Sequence, residues 1–233
     1  MKTAKLILDG NEYEFPVTVG SEGEAGIELG ALRKNTGAIS LDPGYGSTGS
    51  CLSDITFIDG EKGILRYRGY DIEQLAENCT FVEICYLLNY GHLPTEAELR
   101  RFGASLTRHT LLHEDMKKFF EGFPATAHPM AMLSAMVSSL SAYYPGAGID
   151  EDLDLNIIRL LAKVKTIAAF SYKKSMGQPF VYPRNKYSYC ANFLHMMFSL
   201  PTEEYEPPQV LVDALNLLLI LHADHEQNCS TST

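Results

Sequence analysis

The run Ala214–Leu221, ALNLLLIL, carries a single polar side chain, Asn216. A helix that is apolar on nearly every side has to be surrounded by other helices, so this one segment predicts a multihelical core. The longer stretch Val210–Leu221 is interrupted by Asp213 and Asn216. It falls short of the roughly 20 apolar residues of a membrane-spanning helix, and no membrane span is expected. The run leads directly into HADHEQNCSTST. Polar groups delivered to an interior cost free energy unless they meet partners or a ligand, which makes this junction the most informative in the sequence.

The rest of the chain supplies the surrounding helices. Up to about Arg68, short runs rich in β-branched or aromatic residues (KLILD, YEFPVTV, AISLD, DITFID) alternate with Gly, Pro, Asp and Ser. This pattern predicts a small strand-rich region over 1–68. Within it, SDITFIDGEKGILRYRGYD reads as a hairpin closed by Asp59–Gly63, and Asp42–Ser53 as a connector. From Asp71 the apolar period lengthens to three or four, so 69–233 is expected to be helical. Thr80 with Glu83, and Thr95 with Glu98, have capping-box spacing and mark two helix starts. Further helices are predicted near 71–78, 114–120, 129–143, 153–175, 189–198 and 208–221.

Composition narrows function. The 29 acidic and 19 basic side chains leave a formal charge of −10, which repels phosphate backbones and argues against nucleic-acid partners. The apolar run of MKTAKLILDG is too short for the core of a secretory signal. The five cysteines contain no CxxC pair, so reduced packing thiols are expected, consistent with a cytoplasmic protein. No GxGxxG follows a strand and no GxxxxGK[ST] occurs, so neither a Rossmann site nor a P-loop is supported.

At the C-terminal cluster, His222 and His225 share a face if the helix continues one turn. HxxHE lacks the HExxH order of zinc sites, and no metal is assigned. Two readings stay open. The imidazoles close the helix on its last carbonyls, or, with Asn228, they donate to a small oxygen-rich substrate in a dry cleft.

The blocks LILHADHEQNCSTST, DITFIDGEKGILRYRGYDIEQLAE, YLLNYGHLPTEAEL and SMGQPFVYPRNKYSYCANFLHMMF closely resemble citrate synthase of the Gram-negative bacterial type. The resemblance implies a mainly α, multihelical fold with a small β-rich N-terminal region. It implies an acyltransferase that condenses acetyl-CoA with oxaloacetate and water to give citrate and CoA, with no resident cofactor. It places His225 and Asn228 against oxaloacetate, with His222 adjacent. The family's catalytic aspartate and histidines and its carboxylate-binding arginines fall on no position here and would lie beyond Thr233. The chain therefore reads as a truncated, N-terminal portion, inactive by itself.

The same resemblance implies a homo-oligomer, dimer or hexamer, inhibited by NADH away from the active site. Arg108, His109 and Thr110 match one segment of that nucleotide site, and Tyr144, Arg159 and Lys163 another. Arg159 and Lys163 lie four apart on one helix face, where they could neutralise a pyrophosphate or form a solvated basic edge. Thr202 stands where some relatives carry a reactive cysteine, and YYPGAGIDED looks shorter than in relatives. Two alternatives remain: a non-catalytic paralogue that regulates full-length subunits, and a 2-methylcitrate synthase that accepts propionyl-CoA.

Overall fold

Asp9 and Gly10 both adopt positive φ, 51° and 80°, which is the geometry of a two-residue type I′ turn. They join strands β1 (Lys2–Leu8) and β2 (Asn11–Val19) in antiparallel register from Lys2↔Val17 to Leu8↔Asn11. A short β3 (Ala25–Ile27) extends this sheet beyond β2. The computed structural model describes residues 2–144 and 153–226. Within it the contacts divide the chain at Asp54/Ile55, whereas the sequence pattern suggests a change near 68.

The first unit, 2–54, holds the β1–β3 sheet and a single-turn helix α1 (Leu32–Thr36). The run AISLD forms no strand; Ile39 and Leu41 are exposed and pair with no neighbour in a sheet. A strand needs a partner edge as well as β-branched residues, and this segment has none among the described residues.

The second unit, 55–226, begins with the predicted hairpin, so its strands belong with the helices. Strands β4 (Thr56–Asp59) and β5 (Ile64–Tyr67) pair from Thr56↔Tyr67 to Asp59↔Ile64. The Asp59 carboxylate accepts from the Lys62 backbone N–H at 3.0 Å and from its Nζ at 2.8 Å. The turn at Arg68–Gly69 leads into β6 (Tyr70–Asp71).

The helices that follow are α2 (Ile72–Asn78), α3 (Phe81–Tyr90), α4 (Glu96–His109), α5 (Met116–Gly122), α6 (Pro129–Tyr143), α7 (Leu153–Ser175), α8 (Tyr189–Phe198) and α9 (Gln209–Leu221). Both expected capping boxes are present, Thr80 with Glu83 on α3 and Thr95 with Glu98 on α4. Helix α7 packs against α4, α6 and α8. It carries the buried Ile167 and Phe170 into an apolar cluster with Met116, Phe120 and Met136. A second cluster joins Tyr67, Ile72, Leu75, Ile84, Leu87 and Ile220. No helix among the described residues is long and apolar enough to cross a membrane.

Helix α9 departs from expectation. Val212 and Ile220 are buried, but Val210, Leu211, Ala214, Leu217 and Leu218 are exposed. It is therefore covered on one side, by α2, α3 and α8, and not all round. Its Asn216 accounts for the interruption in the apolar run: Oδ1 accepts from the Phe81 N–H at 2.7 Å and Nδ2 donates to the Cys79 carbonyl at 3.3 Å. That side chain locks α9 to the start of α3.

Candidate functional site

Two groups of polar side chains stand out, one at the end of α9 and one between the ends of α4, α6 and the middle of α7. At the first, α9 stops at Leu221 and His222 is its C-terminal cap. His222 Nδ1 lies 2.8 Å from the Leu218 carbonyl, and His225 Nε2 lies 3.4 Å from that of Leu221. Both imidazoles thus lie against carbonyls of the last helical turn, of which that of Leu218 also accepts the His222 backbone N–H at 3.2 Å. They stack with centroids 5.9 Å apart and planes 13° apart, and both are exposed. Asn228 lies outside the described residues.

Tyr67 and Thr56, which the sequence reading passed over, fix this end together with Asp224, which stands between the two histidines. Tyr67, fully buried at the end of β5, donates to the Ile220 carbonyl at 3.1 Å. Its oxygen also accepts from the Asp224 N–H at 3.3 Å. The Asp224 carboxylate accepts from Thr56 Oγ1 and, at 3.1 Å, from the Glu226 N–H. Burial pushes the Tyr67 phenol up from its ordinary value, so it stays a neutral donor. Glu226 holds a left-handed φ of 65°, uncommon for a non-glycine residue. The sequence signal was indirect: a tyrosine on the inward face of a short strand and an aspartate between two histidines. Nothing in the spacing links positions 157 residues apart.

At the second group, the Tyr144, Arg159 and Lys163 side chains meet, and His109 and Thr110 join them through their backbone carbonyls. Lys163 on α7, 3% exposed, donates to the carbonyls of His109 at 2.9 Å and Leu111 at 2.6 Å. It therefore satisfies the frayed end of α4, where a cation is favoured. Thr110 is buried; its hydroxyl donates to the Leu106 carbonyl at 2.8 Å and its own carbonyl accepts from Thr166 at 2.9 Å. His109 Nδ1 lies 2.8 Å from the Ser105 carbonyl. The Tyr144 ring, after α6, receives the Arg159 guanidinium at 4.7 Å and Lys163 Nζ at 5.5 Å. Arg159 donates to Asn156 at 3.1 Å, while its buried Nε has no hydrogen-bond partner among the described residues. Arg108 is exposed and reaches only Ser105, at 3.3 Å, so it stands apart. Residues 145–152, which include most of YYPGAGIDED, lie outside the described residues.

Thr202 lines a separate cavity of about 710 Å³ with Arg184, Lys186, His195, Ser199 and Glu206. His195 is bound through Nδ1 to Ser199 at 2.7 Å. Burial, then the neighbouring Arg184, holds its imidazole below the usual range. No group of three or more His, Cys, Asp or Glu side chains able to hold a metal occurs among the described residues.

Comparison with known proteins identifies the family. Residues 44–233 match the family model "Citrate synthase, C-terminal domain". Citrate synthase 1 of Mycobacterium tuberculosis is 53% identical over 234 residues, covering 99% of this chain and 54% of the relative. Citrate synthase of Corynebacterium glutamicum is 52% identical over 233 residues, covering 99% and 53%. Among solved structures, citrate synthase from Thermoplasma acidophilum, in ternary complex with carboxymethyl coenzyme A and oxaloacetate, superposes with a TM-score of 0.75. It is 29% identical over 83% of this chain and 50% of that one. Citrate synthase from Thermotoga maritima MSB8 gives 0.69 at 31% identity, over 82% and 49%. The chain thus spans about half the length of the relatives it matches. With the family model matched over most of its residues and the helical architecture shared, the chain belongs to the citrate synthase family.

Proposed function

We propose that the protein carrying this chain is a cytoplasmic citrate synthase that joins acetyl-CoA to oxaloacetate with water, releasing citrate and CoA. The family match over 44–233 carries this reading. In it the end of α9 supplies oxaloacetate ligands, with His225 and Asn228 donating to the keto-diacid and His222 orienting the turn. Such donors strengthen as charge develops on the substrate oxygen. On this reading the catalytic aspartate and histidines fall outside these 233 residues, which by themselves are expected not to enolise a thioester.

The experiment is steady-state kinetics on the full-length enzyme. His225→Ala and Asn228→Ala are each expected to raise the KM for oxaloacetate at least tenfold, about 1.4 kcal/mol of lost binding. An unchanged KM in both would overturn the assignment. A preference for propionyl-CoA over acetyl-CoA would make the protein a 2-methylcitrate synthase. Absence of CoA release from the full-length protein would leave the non-catalytic paralogue.

The Arg159–Lys163–Tyr144 group supports a regulatory arm of the same proposal: an oligomer of the Gram-negative, hexameric type, inhibited by NADH. The relatives named above, from Mycobacterium and Corynebacterium, do not decide that type. The buried Arg159 Nε without a partner is the observation favouring an anion there, since such a donor is costly to leave unmade. Lys163 already serves two carbonyls, so the arginine is the sharper test. Arg159→Ala is expected to weaken NADH binding severalfold, and equal dissociation constants in wild type and variant would remove the regulatory arm.

A further inference from the structure

Lys165 sits on α7, two residues beyond Lys163, with 7% of its surface exposed. Its Nζ lies 4.2 Å from the centroid of the Tyr189 ring on α8. Among the described residues it has no hydrogen-bond or ion-pair partner, yet it is not among the unpartnered side-chain nitrogens sealed from solvent. The small residual exposure therefore includes the amine. Tyr189 belongs to two apolar clusters, one containing Cys85 and Ala162, the other Cys190 and Leu194. A long side chain with a charged head is thus laid through hydrophobic surroundings with only an aromatic face for its cation.

The other lysines are situated differently. Lys163 and Lys173 are buried but each donates to two acceptors. Lys5, Lys62, Lys117, Lys118 and Lys186 are paired with carboxylates. Lys2 and Lys34 are exposed and Lys174 is half-buried, with neither a hydrogen bond nor an ion pair among the described residues. Lys165 alone among the described lysines combines a desolvated amine, no acceptor and contact with solvent.

We propose that Lys165 is a modification site, a nucleophilic amine that takes the acyl group of a small acyl thioester ahead of the other lysines of the chain. The neutral amine attacks the thioester carbonyl carbon. The C–N bond forms, the C–S bond breaks, the thiolate leaves and takes up the proton released by the nitrogen; nothing is oxidised or reduced. The product favours the reaction, because a neutral amide replaces a cation that its surroundings solvate poorly.

The electrostatics support the geometry. Burial pulls the Lys165 amine down to about 8, with the neighbouring Cys190 acting in the opposite direction. At pH 7.5 its neutral fraction then exceeds that of an ordinary lysine on the order of a hundredfold. The neighbouring thiols do not compete, since burial drives Cys190 up to about 11 and Cys85 up to about 12.

The test is partial acetylation of the intact protein with S-acetyl-N-acetylcysteamine across a pH series, read lysine by lysine by peptide mass spectrometry. Lys165 is expected to label at least tenfold faster than Lys2 and Lys34 in the same digest, with a rate that levels off near pH 8. Lys165→Arg should remove that label and leave the others unchanged. Should that variant fail to fold, the wild-type rate ratio decides by itself. Labelling of Lys165 no faster than Lys34, or a rate still climbing with pH alongside the exposed lysines, overturns the proposal. The result is independent of the oxaloacetate reading, which rests on His225 and Asn228.

Discussion

Lys165 shows what one misplaced charge does to a fold. Its amine falls from 10.5 to about 8 through burial, so the protonated form is disfavoured in the native state. The destabilisation is complete below pH 8 and disappears above 10.5, where the unfolded chain is also neutral. A shift of this size corresponds to about 3 kcal/mol at neutral pH. Lys165→Met, which keeps the apolar stem, is expected to raise the denaturation midpoint at pH 7. Its advantage over wild type should shrink steadily between pH 8 and 10.5 in denaturant titrations. An equal midpoint at pH 7 would show that the ammonium is solvated in place. The sequence gives no warning of this residue: in RLLAKVKTIAAF, Lys163 and Lys165 look alike, and only the packing of α7 on α8 separates an amine with two carbonyls from one with none.

Elements whose signals are local were legible. The two threonine–glutamate pairs predicted the starts of α3 and α4, because a hydroxyl at the N-cap and a carboxylate three residues on satisfy each other's backbone groups without tertiary help. Thr95→Ala is expected to cost about 1 kcal/mol, with a similar loss for Thr80→Ala. Chemical denaturation reads both, and the change should appear in the midpoint with the slope unchanged. The α6, α7 and α8 limits follow from apolar periodicity and agree with the expected spans. AISLD misled because strand formation is settled by a neighbour that composition does not reveal. For the candidate site, the sequence located the histidines but not what holds them. The Tyr67 and Asp224 contacts join β5 to the end of α9, and such long-range pairing leaves no periodic trace.

At the scale of the whole molecule, the apolar stripe of α9 is the feature that composition alone overstated. The expectation was cover on every side, and the described residues cover one. Val210, Leu211, Ala214, Leu217 and Leu218 form an exposed ridge at three- and four-residue spacing, the kind of surface monomers seldom leave open. The 233-residue chain is therefore expected to self-associate with rising concentration. Val210→Lys together with Leu218→Lys should shift sedimentation toward the monomer, and a chain that stays monomeric without these changes would refute this. The 54/55 division has a simpler origin: the 56–67 hairpin inserts Tyr67 into the helical core, so its burial assigns it there whatever its strand character suggests.

That one phenol gives the turn after α9 its leverage. Because Tyr67 grips the Ile220 carbonyl and the Asp224 N–H, the backbone between them cannot shift unless the ring lets go or the ribbon beneath it travels too. Any molecule that draws His225 inward would thus be felt at Thr56, on the far side of the hydroxyl, as a stiffening of the β4–β5 ribbon.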